Sequence, residues 1–280
     1  MKGHAKMDFR SGERRIEGES TSMEALRRYL ENAGTAVISY SGGVDSSLLA
    51  AVAKETIPGE ARCVILDSPL VPRRTIREAK SRADLLGVPC EVVPFPILED
   101  REFYKNPRNR CYICKRHGCA ILLEKAGEYG IGHVMDGVNA SDLEEKRPGI
   151  RAADEAGVLH PLADCGITKT EVRALARARG FLFWDQPSTP CLATRFPYGY
   201  ELNFEDLRRI EEAEEFLEEC GFLGIRVRMH GNLARIEVAK GDIVRLAMSA
   251  FEVSRKMRDL GFRFCTLDLE GQRSGSMEDV

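Results

Sequence analysis

The octet Tyr40-Ser41-Gly42-Gly43-Val44-Asp45-Ser46-Ser47 constrains this chain more than any other segment. It lies between a β-branched run at 35–40 and a stretch from Ser46 to Glu55 that reads as a helix. Two consecutive glycines let the backbone turn tightly and gather several N–H groups on one concave surface. Such a nest at a helix N-terminus binds phosphate. Each charge-assisted hydrogen bond contributes roughly 1.5–3 kcal/mol, against about 0.3–2 kcal/mol from the helix dipole, so the loop geometry outweighs the dipole. Ser41, Gly42, Gly43 and Ser46 are therefore candidate phosphate-binding positions, and Asp45 is a candidate either to hold Mg²⁺ or to order the loop. A Walker-type loop is excluded, because G-x-x-x-x-G-K-S/T is not written here. The plainer alternative is an Asp-capped helix after a glycine turn.

Strand patterns at 35–40, 61–67, 88–95 and 132–139 alternate with helical patterns at 23–32, 46–55, 74–87 and 111–129. That alternation predicts right-handed βαβ units, an α/β fold with a mostly parallel, doubly wound sheet, and ligands at the carboxyl ends of its strands. In this context S-G-G-x-D-S resembles the PP-loop of ATP pyrophosphatases, which split ATP between its α and β phosphates and transfer AMP. The resemblance implies an adenosine near the end of the second strand, which nominates Asp67 and Ser68. Asp136 and Asn139 close the fourth strand on the same edge, and Lys169 is within reach of a phosphate. A helix at 170–180 leads into the proline-dense loop DQPSTPCLATRFPYG, after which the pattern changes. A charged helix at 205–220, a hairpin across Gly231-Asn232, a helix at 241–260 and the strand FRFCTLDL predict a small α+β unit. The expected division is a flexible tail at 1–20, a PP-loop ATP pyrophosphatase domain at 21–195, and the small domain at 196–280.

Among 280 residues, Lys+Arg number 41 and Asp+Glu 44, so the net charge is −3 and the basic excess of a nucleic-acid binder is missing. No apolar run approaches the ~20 residues that cross a bilayer, and the first twenty residues lack the apolar stretch of a secretory signal. A cytoplasmic protein is expected. Its nine cysteines, odd in number and irregular in spacing, do not read as a disulfide framework. Cys63, Cys90 and Cys265 fall in apolar runs and read as core. Cys111 and Cys114 form a C-x-x-C pair, whose spacing puts both sulfurs on one face of a helix start. Cys191 stands alone between prolines. Three thiolates can hold three corners of a 4Fe–4S cluster and leave the fourth iron open. The alternative is a structural zinc site completed by His117 or Cys119. Cys119 suits the cluster poorly, lying roughly 140° round the helix from Cys114.

Taken together, YSGGVDSS, RCYICK, DGVNASDLEEKRPG, HPL, KTEVRALA, PCLATRFPYG, RVRMH, ARIEV and TLDLEGQRSG resemble one family from about Met23 to Gly275. This is the LarE family of ATP-dependent sulfur transferases, which make the thiocarboxylates of the nickel-pincer nucleotide. The resemblance implies a pyridinium dicarboxylate mononucleotide as substrate, adenylated on a carboxylate and then thiolated, with ATP and Mg²⁺ as cofactors. In some members the cysteine at the position of Cys191 gives up its own sulfur. Others use three cysteines to hold a 4Fe–4S cluster, and the presence of Cys111, Cys114 and Cys191 favours that branch. A homo-oligomer of several subunits, up to a hexamer, is also implied. Arg226 and Arg228, at i and i+2 on one strand, face the same side and suit the mononucleotide phosphate; a solvated strand face is the competing reading. Arg195, four residues after Cys191, suits the adenylate or a carboxylate. Two rival functions are a tRNA-thiolating enzyme, disfavoured by the lack of a basic tail, and a non-catalytic nucleotide or iron–sulfur sensor, for which no interaction module is visible.

Overall fold

A computed structural model describes residues 21–144, 147–187, 189–273 and 275–277. The expected tail at 1–20 lies outside the described residues. The first layer runs α1 (Thr21–Ala33), β1 (Ala36–Ser39), α2 (Val44–Thr56), β2 (Ala61–Asp67), α3 (Arg73–Leu86), β3 (Cys90–Pro94), α4 (Arg110–Glu128), β4 (Val134–Met135), α5 (Pro148–Glu155), α6 (Pro161–Asp164) and α7 (Lys169–Ala178). Its sheet has the order β3-β2-β1-β4 and every pairing is parallel. Side chains alternate across each strand, and both faces are apolar. Ala36, Ile38, Cys63 and Ile65 pack with α1, α2, α3 and α7, whereas Val37, Val64 and Val93 pack with α4 and α5. The α/β, doubly wound reading is thus observed.

The fourth strand is shorter than its pattern predicts. Leu159 bridges Met135 and exchanges backbone hydrogen bonds with Val134 and Asp136. The Asp136 carboxylate then accepts the Val138 N–H at 3.1 Å and turns the chain.

The remaining elements are α8 (Phe204–Glu219), β5 (Arg226–His230), β6 (Leu233–Glu237), α9 (Ile243–Met248), α10 (Ala250–Asp259) and β7 (Phe264–Leu267). The expected hairpin is present as antiparallel β5 and β6, and β7 adds in parallel to β6. The single helix expected at 241–260 is two helices, because the Ser249 hydroxyl bonds back to the Arg245 carbonyl at 3.3 Å and the backbone there leaves the helix. Leu70, Phe95, Ile97, Phe103 and Ile113 of the first layer share a core with the second sheet, so apolar packing continues across residue 195. Among the described residues no helix is long and apolar enough to cross a membrane.

Candidate active site

The octet occupies the turn between β1 and α2. Gly42 takes a left-handed conformation, φ +74°, and comes so close to α3 that an added Cβ would lie 2.5 Å from the Ala79 Cβ. No other residue satisfies both demands. Gly137, just past β4, makes a similarly close approach, where a Cβ would meet the Ser46 backbone nitrogen at 2.8 Å. The Gly43 N–H donates to Ser41 Oγ at 3.3 Å, and the Ser46 hydroxyl donates to the Gly43 carbonyl at 3.2 Å. Asp45 does not cap the helix. Its Oδ1 accepts Asn139 Nδ2 at 3.0 Å and its Oδ2 pairs with Lys169. Both carboxylate oxygens are thereby engaged, so of the two roles expected for Asp45 the donor set fits loop ordering, and no Mg²⁺ site is assigned to it.

A cavity of about 340 Å³ opens over this turn, and its lining combines polar Ser41, Asp45 and Lys169 and the loop backbone at Gly43 with apolar Ile65, Val71 and Ile76. A mixed polar and apolar lining suits a phosphorylated nucleoside with a flat base. The other positions nominated for the nucleotide have different work. Asp67 pairs with Arg73, and the Ser68 hydroxyl accepts the Leu70 N–H at 3.1 Å, so together they shape the turn from β2 to α3. Asp136 is buried and committed to His160 Nδ1 at 2.6 Å and Lys115 Nζ at 2.7 Å. Burial alone would raise its pKa, but the His160 hydrogen bond and the Lys115 charge hold it down at about 2. Arg82 escaped the sequence reading. Its guanidinium stacks on Phe183 at 4.2 Å and donates to the Gly42 carbonyl and to Gln186 Oε1, both at 2.6 Å, tying the loop to the segment that leads to Cys191.

A second cavity, of about 420 Å³, is lined by Arg110, Thr194, Arg195, Arg226, Arg228 and Arg273. The three arginines nominated from sequence meet here but do not share one role. Arg195, 1% exposed, donates to both Glu214 oxygens at 2.7 and 2.9 Å. Arg228 is paired with fully buried Glu237 at 3.0 Å and donates to the Thr194 carbonyl at 2.9 Å. Both are therefore consumed by internal partners, and neither fits the direct ligand contact expected of it as well as Arg226 does. Among the described residues Arg226 has no carboxylate partner; burial, then the charges of Arg195 and Arg228, push it down to about 10. Arg110 stacks on Tyr198 at 4.4 Å and keeps a buried Nη1 without a partner. Half-buried cations without a carboxylate partner among the described residues call for an anion, so Arg226 and Arg110 are the groups open to a phosphate or carboxylate. Arg110 was hidden in the sequence by the cysteine motif that follows it.

The segment carrying Cys191 connects the two cavities. Pro187 and Thr189 line the first, while Pro190 and Thr194 line the second. Cys111 and Cys114 lie in the first turns of α4. Cys191 precedes the short helical turn Leu192–Arg195. Although its surface reaches solvent, the protein around it raises its thiol pKa; the Ala193 N–H, Arg110 and Arg195 act in the opposite sense, and Cys111 adds to the rise. Burial, then Cys191 and Cys111, push Cys114 up to about 12. The three thiols are thus close enough to influence one another, while Cys119 is buried in the core beneath α4. Among the described residues no three His, Cys, Asp or Glu side chains converge as a ready-made metal site.

No family model matches this chain. An uncharacterized protein of Synechocystis sp., slr1717, is 38% identical over 93% of this chain and 98% of its own length. The uncharacterized protein MJ0830 of Methanocaldococcus jannaschii is 34% identical over 85% of this chain and 90% of its own. The pyridinium-3,5-bisthiocarboxylic acid mononucleotide synthase of Lactiplantibacillus plantarum is 32% identical over 93% of this chain and 95% of its own. Identity at that level, sustained over both chains nearly end to end, makes this protein a member of the family of that synthase, the LarE family.

Proposed function

We propose that this protein inserts sulfur into a pyridinium dicarboxylate mononucleotide at the expense of ATP, making a thiocarboxylate for nickel-pincer nucleotide synthesis. The observation that carries this reading is the placement of Cys191 on a segment that lines both the cavity over the glycine loop and the arginine cavity. A sulfur-transfer site needs that arrangement, because the acyl group must be activated and attacked without meeting water.

In the first step a substrate carboxylate oxygen attacks the α-phosphorus of ATP and pyrophosphate leaves, producing an acyl adenylate. The N–H groups of the Ser41 to Ser46 turn hold the departing phosphates, Asp45 and Lys169 keep the turn in shape, and the apolar side chains of Ile65, Val71 and Ile76 take the adenine. Arg226 and Arg110 hold the mononucleotide phosphate, and Arg195, fixed by Glu214, shapes the loop of Cys191. In the second step a sulfur nucleophile attacks the acyl carbon and AMP leaves with the electron pair of the broken C–O bond. Cys111, Cys114 and Cys191 fit a 4Fe–4S cluster by donor chemistry: three thiols within each other's electrostatic reach, with the cations of Arg110, Lys115 and Arg195 partly offsetting the rise that burial imposes on Cys114 and Cys191. Such a cluster, when bound, would supply the sulfide.

The test is anaerobic reconstitution followed by turnover with ATP, sulfide and pyridinium-3,5-biscarboxylate mononucleotide. AMP and pyrophosphate should form only with the mononucleotide present, several times per protein, with iron retained and Cys191 intact by mass. ADP as product would overturn the adenylation step. Zinc in place of iron, or loss of the mass of H₂S from Cys191, would overturn the cluster.

A further inference from the structure

Asn106 is, among the described residues, the only non-glycine with positive φ, at +47°. It also precedes Pro107, whose ring disfavours the helical regions for its neighbour. Its side chain is completely buried, and its Oδ1 has no hydrogen-bond partner. A strained backbone and an orphaned acceptor at one residue are tolerated only where the surroundings impose them. The surroundings here are the Cys191 loop. Asn106 Nδ2 donates to the carbonyls of Pro197 at 2.9 Å, Phe196 at 3.3 Å and Ala193 at 3.5 Å, and the Gly199 N–H donates to the Asn106 carbonyl at 3.2 Å. Four residues after Asn106, α4 begins and presents Cys111 and Cys114.

We propose that Asn106 is a positioning residue that holds the loop of Cys191 against the start of the helix carrying Cys111 and Cys114. The residue type follows from the demand. Glycine takes the left-handed conformation but brings no amide. Aspartate takes it too but offers only acceptors to three carbonyls. Longer or branched side chains resist the conformation. This assignment rests on the proposed role of Cys191, yet it concerns geometry that exists before any turnover.

The experiment uses the reduced protein without ATP or metal. Alkylation of Cys191 by iodoacetamide at one fixed pH is followed by peptide mass spectrometry, with exposed Cys220 as internal reference. Wild type is compared with Asn106→Gly, which keeps the backbone conformation and loses the amide, and with Asn106→Ala, which loses both. In both variants the Cys191 loop should come away from the start of α4, and the alkylation rate of Cys191 should rise several-fold. Cys220 should not change. A wild-type rate in Asn106→Gly with a raised one in Asn106→Ala would overturn the proposal, since only the backbone would then matter. Loss of the folded state in Asn106→Gly would overturn it as well, by making Asn106 a determinant of the whole fold. Neither result depends on sulfur transfer, so failure here is distinguishable from failure of the catalytic reading.

Discussion

Replacing Arg226 and Arg228 separately by alanine distinguishes a ligand-facing cation from a structural one, although the two side chains share a strand face and a cavity. Arg226 lacks a carboxylate partner among the described residues, and burial beside Arg195 and Arg228 holds its pKa down at about 10. A depressed guanidinium pKa means the fold disfavours the charge, so Arg226→Ala should leave stability unchanged or raise it. Its loss removes a charge-assisted contact to the substrate phosphate, which contributes roughly 1.5–3 kcal/mol and translates to a tenfold to hundredfold weaker Kd at about 1.4 kcal/mol per decade. Arg228→Ala reverses the pattern. Glu237, 0% exposed, keeps Arg235 Nη2 at 3.1 Å and the Ser276 hydroxyl, which softens the penalty of a broken buried pair. The Thr194 carbonyl also loses its donor at 2.9 Å. The cost should therefore sit near the lower end of the roughly 3–5 kcal/mol typical of such losses. Urea unfolding supplies the stabilities, and calorimetric titration with nicotinate mononucleotide supplies the affinities. Wild-type affinity in Arg226→Ala, or equal destabilisation by both substitutions, would refute the division of labour.

Three further outcomes are expected. Gly42→Ala should abolish mononucleotide-dependent pyrophosphate release, because its Cβ would clash with Ala79 at 2.5 Å in a backbone that alanine resists; retained activity would show that the loop conformation is dispensable. The His160–Asp136 pair should make stability pH-dependent at both ends. Burial alone would lower the His160 pKa, but Asp136 raises it above the ordinary value, so its contribution is complete below that value and fades as pH rises through the raised one. Asp136, held at about 2, contributes above the ordinary carboxylate range and loses that contribution as pH falls toward 2. Unfolding free energies of His160→Gln and wild type should then converge at alkaline pH, and parallel curves would refute the linkage. Finally, alanine at Cys111, Cys114 or Cys191 should each eliminate bound iron after anaerobic reconstitution, while Cys119→Ala, buried in the core, should retain it; iron content decides.

Much of this molecule was legible from local pattern. The strand, glycine turn and helix of the octet, the alternation of β and α, the C-x-x-C pair at the start of a helix and the hairpin across Gly231-Asn232 are all set by interactions within a few residues. A sequence displays those directly. Burial of Cys63 followed from its apolar run for the same reason, whereas Cys90 and Cys265, in similar runs, are only half-buried. What tertiary structure alone decided is the partner of each charge. Arg226 and Arg228 are equivalent in the strand pattern, yet Arg228 finds Glu237 across the hairpin and Arg226 finds no carboxylate among the described residues. Asp45 is engaged by Asn139 and Lys169, about a hundred residues away, and Arg195 is fixed by Glu214 on α8. Asp136 was indistinguishable from a nucleotide ligand until His160 and Lys115 took both its oxygens. Arg82, Arg110 and Asn106 carry no motif, since their importance comes from which carbonyl, ring or cavity the fold brings to them. Electrostatic and hydrogen-bonding partners are chosen by distance in space, and only the packed layers convert sequence separation into that distance.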